Sequence, residues 1–139
     1  MNQESILYPM AVLAMLTFAV LLMIPYRRFR AGFARQVTVD DFKYGESSNV
    51  PPSVSIPNRN YMNLLEMPLL FYVACITLYV TKSVDVASLY AAWFYLALRL
   101  AHSAVHLTYN KVTHRLTFFA LSNVTLAVIW VRILLWLSR

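Results

Sequence analysis

Four apolar stretches dominate this chain, at about residues 5–26, 60–81, 86–109 and 116–137. Each holds roughly 20 residues, the length a helix needs to cross about 30 Å of hydrocarbon. Lipid offers no partner to a bare N–H or C=O, so segments of this kind are restricted to helices. The expected fold is all-α: a single-domain, polytopic membrane four-helix bundle with residues 27–59 as its long connection. Charged residues are only 13% of the sequence, against roughly 25% in soluble domains. The net charge of +6 does not indicate nucleic acid, because the basic residues flank the apolar stretches instead of forming a soluble basic face.

The flanking charges give an orientation. Glu4, with no basic residue ahead of it, opens the first stretch, and Arg27, Arg28 and Arg30 follow it. That pattern is unlike a cleavable signal peptide and retains the helix. Arg35, Lys43, Arg59, Lys111 and Arg115 fall on the same side, whereas Lys82 and Arg139 fall on the other. The positive-inside rule makes the first and third connections cytoplasmic and places both termini on the non-cytoplasmic side. Tyr8, Tyr26, Tyr90, Trp130 and Trp136 near the span ends read as interfacial aromatic belts. Pro51, Pro52 and Pro57, after Gly45, predict an extended segment ahead of the second stretch, since proline opposes a helix interior. The lone Cys75 excludes an intrachain disulfide and reads as a packed apolar side chain.

Polar residues interrupt the apolar pattern in register. Arg59, Asn63 and Glu66 stand at i, i+4 and i+7, which a helix gathers on one face. Glu66 then lies about 10 Å into a helix starting near Asn60. An acid near the bilayer centre costs on the order of 3 kcal/mol and is a functional-site hypothesis by default. In the third stretch Arg99, His102 and His106 stand at i, i+3 and i+7, again on one face. The second and third stretches run antiparallel, so both polar faces occupy the cytoplasmic half of the bilayer. Asn123 falls at a similar depth, and Arg115 sits at the mouth.

Three readings of this cluster differ in chemistry. Glu66 and Arg99 could form a buried pair that only fixes helix register, since such pairs are roughly energy-neutral. His102, His106 and Glu66 could share a divalent metal, but the adjacent arginines repel a cation and the pair lacks the glutamate of a zinc-protease motif; no metal is expected. An excess of positive charge in a low-dielectric cleft attracts an anionic ligand, which accounts for the whole set. The sequence holds no Gly-rich phosphate loop. A Ser–His–Asp arrangement lacks a membrane-depth aspartate, and a two-carboxylate mechanism fails on the same shortage.

The full length of the chain resembles the MAPEG family, the membrane-associated proteins in eicosanoid and glutathione metabolism. The resemblance is carried by Arg59-x-x-x-Asn63-x-x-Glu66 followed by Pro68, by Arg99-x-x-His102, by Arg115 opening the fourth helix, and by Asp41-Phe42-Lys43-Tyr44-Gly45, which is similar to bacterial members. It implies a homotrimer in a bacterial inner membrane, with glutathione as co-substrate bound near protomer interfaces and open to the cytoplasm. It further implies that Arg59, Asn63, Arg99 and His102 hold the tripeptide, that Glu66 binds its α-amine or orients an arginine, and that Arg115 favours the thiolate. His106 stands where many members have tyrosine, and one of Arg27, Arg28 or Arg30 is the candidate first-helix arginine. The implied activity is a glutathione-dependent membrane transferase or peroxidase acting on a lipophilic electrophile or a lipid hydroperoxide. The alternatives are a non-catalytic binding or scaffold protein of the same fold and a structural oligomer with a register-fixing polar cluster.

Overall fold

In the computed structural model, residues 2–138 are described. The first helix, α1 (Leu7–Phe33), follows a single 3-10 turn and runs past the expected end at Tyr26. Arg27, Arg28 and Arg30 are therefore helical residues, not loop residues. Nothing in their composition stops a helix, because arginine is a good helix former. The stop comes at Arg35, held at φ 55. There the Gln36 amide donates to the Ala31 carbonyl at 2.9 Å and the Arg35 amide to the Gly32 carbonyl at 2.9 Å. These are the paired bonds that close a helix through one left-handed residue.

The proline-rich segment differs from its expected extended form. Helix α2 spans Pro52–Leu65, beginning ahead of Asn60. Pro51 takes the N-cap and Pro52 the first helical position, where a missing N–H costs nothing. Proline here starts a helix instead of preventing one, and Pro57 sits inside α2 without ending it. Helix α3 (Met67–Val80) continues the same span after a break at Glu66, whose ψ is −93°. Pro68 just beyond lacks the N–H that a continuous helix would need. Helix α4 (Val86–Leu107) opens on a capping box in which the Ser88 amide donates to Asp85 at 2.7 Å and the Asp85 amide to Ser88 at 3.0 Å. Helix α5 (Val112–Leu137) completes the bundle. Five helices thus make four spans, and no strand is present among the described residues.

Contacts at the ends fix the topology. The Gln3 side chain donates to the Val84 carbonyl at 3.2 Å and accepts from the Val84 amide at 2.9 Å. Arg132, absent from the charge count above, pairs with Asp85. The N-terminus, the α3–α4 turn and the end of α5 therefore share one end of the bundle. Arg139 lies outside the described residues. Three spans, Gln3–Phe33, Pro52–Val80 and Val112–Leu137, are long and apolar enough to cross a membrane. The fourth, α4, turns Arg99, His102, Ser103 and His106 inward, where all four are buried. Phe18, Leu22, Phe94 and Val124 face outward and are exposed, as lipid contact requires. The core is apolar, with Phe71 stacked on Tyr95 at 4.4 Å between ring centres. Trp130 departs from a purely interfacial role, since its indole N–H reaches the Leu70 carbonyl at 3.3 Å.

The connection between α1 and α2 is folded onto α1. Arg28 pairs with Glu46 at 3.1 Å and lies 4.5 Å over the Phe42 ring. Asp41 organises the loop: its carboxylate accepts from the Ser47 hydroxyl at 2.6 Å, the Thr38 amide at 2.8 Å and the Thr38 hydroxyl at 2.9 Å. These bonds, led by Ser47, favour the charged form and lower the Asp41 pKa from 3.8 to about 2. A depressed carboxylate stabilises its structure above the unfolded pKa and loses that contribution as pH falls through the folded one. Carboxyl NMR of Asp41 should show no titration from pH 7 to 4 and a midpoint near 2. A midpoint near 4 would mean that the loop cage does not persist in solution.

Candidate functional site

The polar residues meet at the end of the bundle that holds the α4–α5 turn. A cleft of about 490 Å³ opens between α2, α4 and α5. Arg59 and Asn63 come from α2, His102 and His106 from α4, and Arg115 from the first turn of α5. Met62, Leu116 and Phe119 give the same cleft an apolar wall. No acidic side chain lines it. The two histidine rings are 5.7 Å apart, and His102 lies 5.9 Å from Phe119. Each histidine is only 2% exposed, and each has an Nδ1 without a hydrogen-bond partner. Buried polar atoms of this kind ordinarily have one.

Arg99 lies behind the cleft, with none of its surface exposed. Its Nη2 donates to the Asn63 carbonyl at 2.5 Å. In an unbroken helix that carbonyl would accept from the amide of Met67, four residues on. The break at Glu66 releases the carbonyl, and the guanidinium of α4 takes it. Nε and Nη1 of Arg99 have no partner, and the guanidinium lies 5.7 Å from the Phe119 ring centre. A buried cation with two open donor positions is an electrostatic demand for an anion nearby.

Glu66 meets it only at a distance, its charge acting on Arg99 without a direct ion pair among the described residues. It is exposed and does not line the cleft. The expected shared face with Arg59 and Asn63 assumed a helix continuous through residue 66, and the chain breaks there. Arg59 and Asn63 do remain neighbours, with the Asn63 side chain donating to the Arg59 carbonyl at 2.9 Å. Asn123 lies on α5 outside the cleft, its Oδ1 buried without a partner. None of Arg27, Arg28 and Arg30 reaches this cleft within the protomer.

Two contacts were not anticipated. Asn110, at φ 48, closes α4 by donating its amide to the Val105 carbonyl at 2.8 Å. Its side-chain oxygen accepts from Arg115 at 2.9 Å, which fixes the arginine at the mouth of the cleft. The signal for it is an asparagine in a short turn, since asparagine tolerates the left-handed region. Deeper in, fully buried Asn60 accepts from Ser103 at 3.3 Å and ties α2 to α4. The polar residue opening an apolar run was that signal.

The model of the MAPEG family matches residues 6–135. The chain belongs to the MAPEG family. As a MAPEG protein it is an integral membrane helical bundle, of a family associated with glutathione-dependent transferase and peroxidase chemistry. No curated protein and no solved structure matches it.

Proposed function

We propose that this MAPEG protein binds glutathione in the cleft between α2, α4 and α5 and presents its thiolate to a lipophilic electrophile or a lipid hydroperoxide. One observation carries the reading: two arginines and two histidines line the cleft beside an apolar wall, with no carboxylate among them. Its volume, about 490 Å³, falls within the range of small-molecule sites. Glutathione brings two carboxylates, an amine and a thiol. Arg59 and the open donors of Arg99 bind the carboxylates through charge-assisted bonds. Asn63 and His102 supply further polar contacts. Glu66, outside the cleft of the single protomer, reaches the amine only where a second copy in a homotrimer extends the site to its carboxylate. Arg115 lies near sulfur and favours the thiolate, as adjacent cations do. His106 donates a hydrogen bond to the sulfur.

In a transfer, sulfur forms a bond to carbon as the electrophile releases its leaving group or takes up a proton at the adjacent atom. With a hydroperoxide, sulfur attacks the terminal oxygen and releases the alcohol. A second glutathione then completes the disulfide and releases water. The membrane concentrates the apolar reactant, while the cleft, opening on the cytoplasmic side of a bacterial inner membrane, draws the thiol from water. Holding both together supplies the orientation on which such catalysis rests.

Thermal melting of the detergent-purified protein tests binding directly. A ligand that binds only the folded state raises the melting temperature by mass action. Millimolar glutathione and S-hexylglutathione should each raise it by roughly 3 °C or more, whereas thiols without carboxylates should not. No shift with either tripeptide would sink the proposal.

A further inference from the structure

We propose, on the basis of the thiol reading of the cleft, that Asn110 is a positioning residue for Arg115, aiming its guanidinium without neutralising it. Asn110 lies in the turn between α4 and α5 and contributes two contacts. Its amide donates to the Val105 carbonyl at 2.8 Å, with φ at 48, and so closes the end of α4. Its side-chain oxygen accepts from Nη1 of Arg115 at 2.9 Å. One residue thereby couples the end of the helix that carries His106 to the side chain of Arg115. Both His106 and Arg115 line the cleft.

The kind of acceptor matters. A carboxylate would bind the arginine more strongly, but its charge would cancel the field that favours a thiolate. The carboxamide is uncharged and leaves the cation intact. Arg115 makes no ion pair among the described residues, and no acidic side chain lines the cleft. Asn110 uses one guanidinium donor and leaves the others for a ligand. An unheld arginine would spread over many rotamers, and ordering it during reaction costs entropy. A second bond spans the same turn: the Tyr109 hydroxyl and Nδ1 of His114 are 2.9 Å apart. Both of these residues are exposed, and neither lines the cleft. The outer bond braces the turn, whereas the inner one also directs a charge.

The test uses the full-length protein in a non-ionic detergent, with glutathione and a model electrophile. Its readouts are turnover, thiolate absorbance across pH, and the glutathione shift in melting temperature. Asn110→Gly tolerates φ 48 and removes only the side chain. It should lower kcat by about tenfold or more, leave KM for glutathione within about twofold, and reduce the thiolate absorbance. Asn110→Asp keeps the acceptor and suits the same backbone. Its added charge should raise the pH at which the bound thiol ionises by roughly one unit. Tyr109→Phe, which removes the outer bond, should match wild type in every readout. In an Arg115→Ala background, Asn110→Gly should change the rate by less than about twofold, because the two residues act as a unit. Three outcomes would overturn the inference: wild-type behaviour in both Asn110 variants, an equal loss in Tyr109→Phe, or independent losses in the double variant. If Asn110→Gly does not fold, Asn110→Asp decides alone, and an unchanged or lower ionisation midpoint overturns the inference. A wild type that neither binds nor turns over glutathione overturns the thiol reading and this role together. A wild type that does both, beside an Asn110→Gly variant that equals it, overturns this role alone.

Discussion

Arg115→Ala is expected to slow thiol transfer to a model electrophile by about 100-fold or more while glutathione still raises the melting temperature. The size follows from removing one charged donor aimed at developing or resident negative charge in a site shielded from water. The asymmetry follows from position. Arg115 is at the mouth of the cleft, held at 2.9 Å by Asn110, whereas Arg59 on α2 and the buried Arg99 behind the cleft remain to bind the carboxylates. Ultraviolet absorbance of the bound thiolate gives a second readout, and it should fall in the variant. The same experiment separates an enzyme from a binding protein of the same fold. If the wild type binds glutathione but shows neither thiolate absorbance nor turnover, the scaffold reading wins.

The second large effect concerns Arg99→Met. Methionine keeps most of the volume and removes a buried charge, and such replacements are often neutral or stabilising. The variant should therefore fold, with a melting temperature within a few degrees of wild type. One term opposes this: the Asn63 carbonyl loses its donor, at a cost of about 1–3 kcal/mol. Glutathione affinity should fall by at least about tenfold, because the unpartnered Nε and Nη1 are lost with the guanidinium. Unchanged affinity in a folded variant would mean that Arg99 only ties α4 to α2. Arg99→Ala is the harsher change, since it adds a cavity to the lost donor, and it should lower stability by roughly 3 kcal/mol or more.

The spans were legible because hydrocarbon thickness and the helical rise leave so little freedom to a 20-residue apolar stretch. The face of α4 was legible for a similar reason: Arg99, His102 and His106 keep helical spacing along an unbroken helix, and all three are buried together. Glu66 shows where periodicity stops being a guide. Its spacing from Arg59 and Asn63 is helical in sequence, yet the backbone turns at that residue and takes the carboxylate out of the cleft. Pro68 was visible, but a proline two residues on marks a break without giving the direction of the side chain. The prolines at 51 and 52 misled in the opposite sense, because the first helical position welcomes the residue that the interior rejects. The Asn110–Arg115 contact could not be read at all: it depends on a turn whose left-handed residue brings the two side chains together.

The break at Glu66 has a mechanical consequence. A continuous span is a single rod, and a tilt imposed at one end is felt at the other through an unbroken ladder of amides. Here the ladder is interrupted between Leu65 and Met67, and the Asn63 carbonyl is fastened sideways to Arg99 instead. The lower rod, which carries Arg59 and Asn63, is therefore anchored to its neighbour α4. The upper rod is set by its own apolar packing around Phe71 and Leu78. Changes in bilayer thickness that tilt the upper rod are not passed axially into the lower one. The second span is jointed, with the joint fixed laterally at the level of the buried arginine.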